Sequence, residues 1–94
     1  MLALPNPLPA SLSEKQSMLK VISANLNGIR SAANKGFLPW AAEQNADFIC
    51  MQELKAQAAD MTPAMLDFPG HHGYFHYAEK KGYSGVGVYA RQEP

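Results

Sequence analysis

Cysteine is nearly absent. Cys50 stands alone, so the chain can form no disulfide within itself and no thiolate cluster for zinc. A single thiol inside an apolar run reads as a small buried hydrophobe and suits a reducing, cytoplasmic setting. Net charge is missing too, because eight basic residues balance eight acidic ones. No global field draws the chain toward polyanions, and any nucleic-acid contact must come from a local patch. Apolar runs all fall well short of the roughly 20 residues that cross a bilayer, so no membrane partner is expected. Charged residues make up only 17% and hydrophobic ones 47%, a balance that favours a globular core over a disordered chain. At 94 residues that core belongs to one small domain of marginal stability. No internal repeat is present.

Proline is concentrated at the start. Pro5, Pro7 and Pro9 alternate there, which forbids both a helix and a central strand. The same stretch lacks a basic segment ahead of its broken apolar residues, unlike a signal peptide. Residues 1–17 are therefore read as a disordered extension, and Met18 as an alternative start.

From Met18 the pattern becomes regular. Leu19 to Ala24 reads as a strand, and Asn25-Leu26-Asn27-Gly28 supplies the residues that stop one. One helical turn over Ser31–Asn34 precedes a better helix over 36–44, with Pro39 in its first turn and Phe37, Trp40, Ala41 and Gln44 on one face. Asn45 is suited to its end. Phe48 to Gln52 is a second strand, short, apolar and free of Pro and Gly. A strand, helix, strand order with this connection predicts a right-handed parallel crossover. The two strands then end at the same edge of the sheet, where open α/β sheets place ligands. Asn25 closes the first strand and Glu53 follows the second. An amide oxygen and a carboxylate meeting there fit a hard cation such as Mg²⁺.

Farther on, a short helix is expected within 58–66, with Thr62-Pro63 at or near a start. Strands are expected over Gly73–Ala78 and Val86–Arg91, joined as an antiparallel hairpin by the glycine-bounded stretch 80–85. Tyr74, Phe75, Tyr77 and Trp40 read as core or sheet-face residues. His71, His72 and His76 with Asp67 match no standard metal spacing. Taken singly, a strand-end Glu is a solvated end, Asn25-Leu26-Asn27-Gly28 an ordinary turn and Lys80-Lys81 a solvated tip. The combination of motifs carries more.

Three segments, Ser23-Ala24-Asn25-Leu26-Asn27-Gly28-Ile29-Arg30, Ile49-Cys50-Met51-Gln52-Glu53-Leu54-Lys55 and Lys81-Gly82-Tyr83-Ser84-Gly85-Val86-Gly87-Val88, together resemble the exonuclease III family of DNA-repair nucleases. That family lies within the endonuclease/exonuclease/phosphatase group, and the resemblance runs over residues 18–94. It implies an α/β fold, the N-terminal portion of a two-sheet, DNase I-like sandwich with flanking helices, incomplete in this chain. It also implies a Mg²⁺-dependent phosphodiesterase, with Mn²⁺ as the alternative metal, acting on double-stranded DNA at abasic sites or 3′ ends. No obligate protein partner is expected. By the resemblance, Glu53, Asn25 and Asn27 belong to the metal site. Arg30 and Lys55 contact phosphate or support the acidic site, and Tyr83, Ser84 and Gly85 lie against the DNA backbone. Where the family carries an active-site tyrosine, an Asp-x-Asn pair and a final Asp-His element, these residues have no counterpart, so the chain alone is expected to be inactive. The rival readings are a lipid or inositol phosphodiesterase of the same fold, and a non-catalytic interaction module built on half of it.

Overall fold

The computed structural model describes residues 19–80 and 83–91; the proline-rich stretch 1–17 and the centre of the 80–85 connector lie outside them. The elements run β1 (Val21–Asn25), α1 (Ile29–Asn34), α2 (Phe37–Glu43), β2 (Phe48–Gln52), a 3₁₀ turn (Ala58–Asp60), α3 (Pro63–Leu66), β3 (His72–Tyr77) and β4 (Gly85–Ala90). β1 and β2 are parallel neighbours with Val21 opposite Phe48 and Asn25 opposite Gln52. The parallel pairing expected of the crossover is present. Gly36, at φ 92°, starts α2 in the left-handed region. Asn45, at φ 54°, follows its last turn in the same region.

β3 and β4 form the expected antiparallel hairpin, and the sheet order is β1-β2-β4-β3. The interior place of β4 was not legible in the sequence. It is decided by pairing with both β2 and β3, which seats Gly87 and Tyr89 in the core on the helix side while Val86 on the opposite face stays exposed. β3 alternates exposed His72, Tyr74 and His76 with half-buried residues, and it takes the outer position.

The three helices cover one face. Ile49, Met51 and Tyr89 form its buried centre, joined by Ile29, Ala41, Met65 and Phe68 from the helices and loops. The Tyr89 ring stacks on Phe68 at 4.3 Å, and Phe75 meets it edge-on at 5.8 Å. Phe75 lies flat over two glycines; a Cβ on Gly87 would stand 2.7 Å from its ring, and one on Gly73 would stand 2.8 Å away. The Tyr89 hydroxyl donates to the Met65 carbonyl at 2.5 Å. Burial, with a smaller contribution from nearby Tyr77, pushes its ionisation well above the ordinary range.

Two expectations change here. Cys50 is half-buried rather than buried, because it shares the strand face with Ser23 and Val88, opposite to the helices. Trp40 is 47% exposed rather than core, although its ring stays near Phe37. Ala41 is the α2 residue that enters the core.

Candidate metal and phosphate site

The site is built where β1 and β2 end. Past those ends the backbones remain paired: Gly28 N–H donates to the Glu53 carbonyl and Ile29 N–H to that of Leu54, both at 2.8 Å. From the other side, Leu54 N–H donates to Gly85 O and Lys55 N–H to Ser84 O, both at 3.1 Å. The stretch Glu53-Leu54-Lys55 is thus clamped between two loops, with the fully buried Leu54 as its anchor.

That clamp holds an unfavourable backbone. Glu53 and Lys55 have φ of 54° and 51°, and Asn27 has 49°. For residues with a Cβ this region costs about 1–2 kcal/mol each, less for asparagine. Gly28, at φ 105°, lies in a region that side chains rarely adopt. Three of the four non-glycine positive-φ residues among those described therefore converge on one edge. Strain concentrated in this way points to a functional constraint.

The side chains form one network. Asn25 Nδ2 donates to Glu53 Oε2 at 2.6 Å, while Asn25 Oδ1 accepts the Asn27 backbone N–H at 3.1 Å. Lys55 Nζ donates to Asn27 Oδ1 at 2.5 Å and stands 3.9 Å from Glu53 Oε1. The meeting of two oxygen donors expected from the sequence is resolved differently here. A carboxylate attracts an amide N–H and repels an amide oxygen, so Asn25 aligns Glu53 through nitrogen. Lys55 braces the acidic group, the second of the two roles considered for it.

Arg30 is partly turned inward. One guanidinium nitrogen donates to the Lys55 carbonyl at 3.1 Å, and another stands 3.6 Å from Asp60 Oδ1. Arg30 and Lys55 also line an open cleft of about 480 Å³ with Gly28, Ser31 and Asn34. A neighbouring cleft of about 450 Å³ is bounded by Asn25, Asn27, Ser31, Lys35 and Trp40, among others. Ser84 and Gly85 reach the site through their carbonyls. Tyr83 is 61% exposed, with the Lys80 ammonium 5.4 Å from its ring.

Asn25, Asn27, Glu53, Lys55 and Arg30 thus gather at one sheet edge with the Ser84 and Gly85 carbonyls, while the Tyr83 ring contacts Lys80. The histidines do not join them. His71 sets its ring nitrogens 2.9 and 2.8 Å from the Pro69 and Ala46 carbonyls, and His72 and His76 lie exposed on β3. Among the described residues no three His, Cys, Asp or Glu side chains converge as a ready-made metal cluster. The donor set nonetheless fits a share of a Mg²⁺ site, since that ion takes one or two carboxylates and keeps water and phosphate as its remaining ligands.

Sequence reasoning missed Asp60, Gln57, Ser31 and Lys35. A signal for the first two existed. Gln57-Ala58-Ala59-Asp60 has the spacing of a helix-start box, and Gln57 N–H does donate to Asp60 Oδ2 at 3.0 Å.

The chain belongs to the endonuclease/exonuclease/phosphatase family, whose model matches residues 22–94. Its relatives narrow the neighbourhood. An exodeoxyribonuclease of Bacillus subtilis (strain 168) is 44% identical over 77 residues, which are 81% of this chain and 29% of that protein. A DNA-(apurinic or apyrimidinic site) endonuclease of Dictyostelium discoideum is 30% identical over 80 residues, 85% of this chain and 22% of that protein. The solved AP endonuclease of Archaeoglobus fulgidus is similar with a TM-score of 0.68 and 35% identity, over 82% of this chain and 29% of that one. The expected α/β fold is thereby established, and the chain spans under a third of the length of these relatives.

Proposed function

We propose that this chain carries part of the active site of a divalent-metal-dependent DNA-repair phosphodiesterase of the exodeoxyribonuclease and apurinic-site endonuclease kind. Its substrate is duplex DNA with abasic sites or 3′ ends. The observation that carries the reading is the Glu53 carboxylate, held in a left-handed backbone at the ends of two parallel strands and aligned by Asn25.

In this reading Glu53 is the metal carboxylate. A divalent cation held there by Glu53, Mg²⁺ or Mn²⁺, would supply positive charge to offset the phosphodiester and its leaving oxygen. The chain's own residues orient and balance charge. Asn25 fixes the rotamer of Glu53, and Lys55 keeps a positive charge beside it while tying down Asn27. Arg30 and Lys55 give the adjoining cleft a cationic wall suited to backbone phosphate. The Tyr83-Ser84-Gly85 stretch runs alongside, and its exposed ring is available to the nucleic-acid backbone. Phosphate contacts of this sort carry no sequence information, as suits a repair activity. The 94 residues alone turn DNA over little or not at all, because hydrolysis needs groups contributed by the remainder of a protein of the relatives' length.

The test uses the protein at its natural length, with a Glu53→Ala partner. Cleavage of a duplex carrying one abasic site is followed with Mg²⁺ and with EDTA. Cleavage that requires metal and collapses in the variant is expected. Robust metal-dependent cleavage by Glu53→Ala would place the chemistry elsewhere, and a folded wild type without any cleavage would favour a non-catalytic interaction module.

A further inference from the structure

Arg30, Asp60 and Gln57 link the strained stretch to two other parts of the chain. Arg30 donates to the carbonyl of Lys55, one of the residues at positive φ, and its guanidinium is paired with Asp60. Asp60 is well shielded, at 18% side-chain exposure, and its other carboxylate oxygen accepts the Gln57 N–H. Gln57 in turn donates through Nε2 to the carbonyls of Ala78 and Glu79, at 3.3 and 2.9 Å. Those two residues directly follow β3, whose last residue Tyr77 lies opposite Gly85.

We propose that Asp60 is a positioning residue for the metal site, acting through Arg30 on the Lys55 carbonyl and through Gln57 on the Ala78-Glu79 segment that leaves β3. The physical argument starts from the backbone. A residue at φ 51° returns to a commoner conformation unless its surroundings hold it. The Lys55 N–H is held by Ser84 and its C=O by Arg30, so the main-chain groups on both sides of that residue are held by neighbouring segments. Arg30 is a long side chain, 48% exposed, that would otherwise sample many rotamers. Asp60 removes that freedom by fixing the guanidinium plane against Lys55. Lys55 then keeps its ammonium on Asn27 and near Glu53, so a loose Arg30 translates into a loose carboxylate. The chain of contacts also ties the two loops that flank Glu53 to one another, so that metal and phosphate groups are placed together.

This inference rests on the proposed function for its catalytic consequence, but not for its structural one. Asp60→Ala, Asp60→Glu and Glu53→Ala variants of the natural-length protein provide the test. In the metal-free, DNA-free state, amide hydrogen exchange should rise at Leu54 and Lys55 in Asp60→Ala while Ile49 to Met51 stay protected. Mn²⁺ binding, followed by the loss of the free-ion electron paramagnetic resonance signal, should weaken by about tenfold, as for outer-shell changes at other metal sites. In abasic-site cleavage kcat should fall about tenfold with KM for DNA nearly unchanged, and Asp60→Glu should restore most of each effect. Unaltered exchange at Leu54 and Lys55 with unaltered Mn²⁺ affinity would overturn the proposal, and so would a change in KM alone. Should Glu53→Ala cleave normally while Asp60→Ala still loosens Lys55, the brace stands and the assignment of the metal site falls.

Discussion

The two ends of the β1–β2 pair use similar residues for different purposes. At the far end stand Lys20, Asn45, Asp47 and Arg91; at the site end stand Asn25, Asn27, Glu53, Lys55 and Arg30. In the far cluster Asp47 accepts the Lys20 backbone N–H at 2.9 Å, and the Lys20 ammonium caps the Gln44 carbonyl at 2.7 Å at the end of α2. Arg91 donates from its side chain to Asn45 and from its backbone to the Asp47 carbonyl. There the Asp47 and Lys20 charges are bound to main-chain groups at element ends, and Arg91 to the Asn45 side-chain amide. At the site end the carboxylate receives an amide N–H and faces an ammonium at 3.9 Å, its backbone is held at positive φ, and its partners Asn25, Asn27 and Lys55 line open clefts. A polar cluster of the right composition is therefore not yet a site. What distinguishes one is a group held against its preferred conformation with room for a ligand.

The contrast is broken most sharply by removing the two carboxylates in turn. Glu53→Ala should lower abasic-site cleavage by about a hundredfold or more, as expected when several kcal/mol of transition-state charge stabilisation are lost. Asp47→Ala, measured in the same assay on folded protein, should leave the rate within about threefold, since its contacts are structural. Equal losses would erase the distinction between the ends.

Backbone conformation is the next lever. Gly28→Ala should destabilise the fold by about 2 kcal/mol, because its φ of 105° is strained for any side chain although space for a Cβ exists. Urea unfolding measures it, and cleavage should fall along with stability because Gly28 N–H clamps Glu53. A well-folded, fully active Gly28→Ala protein would show that the strain at this edge has no bearing on the chemistry.

Tyr89→Phe sharpens the comparison from the core, away from the site. Loss of the buried bond to Met65 should cost about 1–2 kcal/mol with cleavage unaffected. The pH dependence follows from its raised ionisation. A group whose folded value lies above the ordinary 10.0 contributes stability that is complete below pH 10 and is lost as pH rises toward the folded value. Stability of the wild type should therefore decline above pH 10, and less steeply in Tyr89→Phe, with Tyr77 adding a smaller share in the same direction. The smallest effect belongs to Lys20→Met, at about 0.5 kcal/mol in urea unfolding with no change in cleavage.

Much of this was legible in the residues. The parallel crossover followed from two short strands and the helix between them, and the meeting of Asn25 with Glu53 followed from the crossover. The β3–β4 hairpin was legible from glycines bounding the connector. The place of β4 between β2 and β3 was not, since its exposure pattern is decided by partners distant in sequence. Cys50 reads as core in the sequence because a short apolar run hides which of its alternate residues face the helices. The sequence alone does not single out Asp60, because its significance depends on Arg30, thirty positions earlier.

By itself the sequence determined which segments become strands and helices, through hydrophobic spacing and the stop signals of Asn and Gly, and which family the motifs belong to. Those are local properties. The tertiary structure alone decided that Asn25 offers Glu53 its nitrogen, that Lys55 braces Asn27, and that Glu53 and Lys55 sit at positive φ. The reason is physical: a left-handed glutamate is unfavourable in isolation and persists only where neighbouring loops hold its peptide groups on both sides.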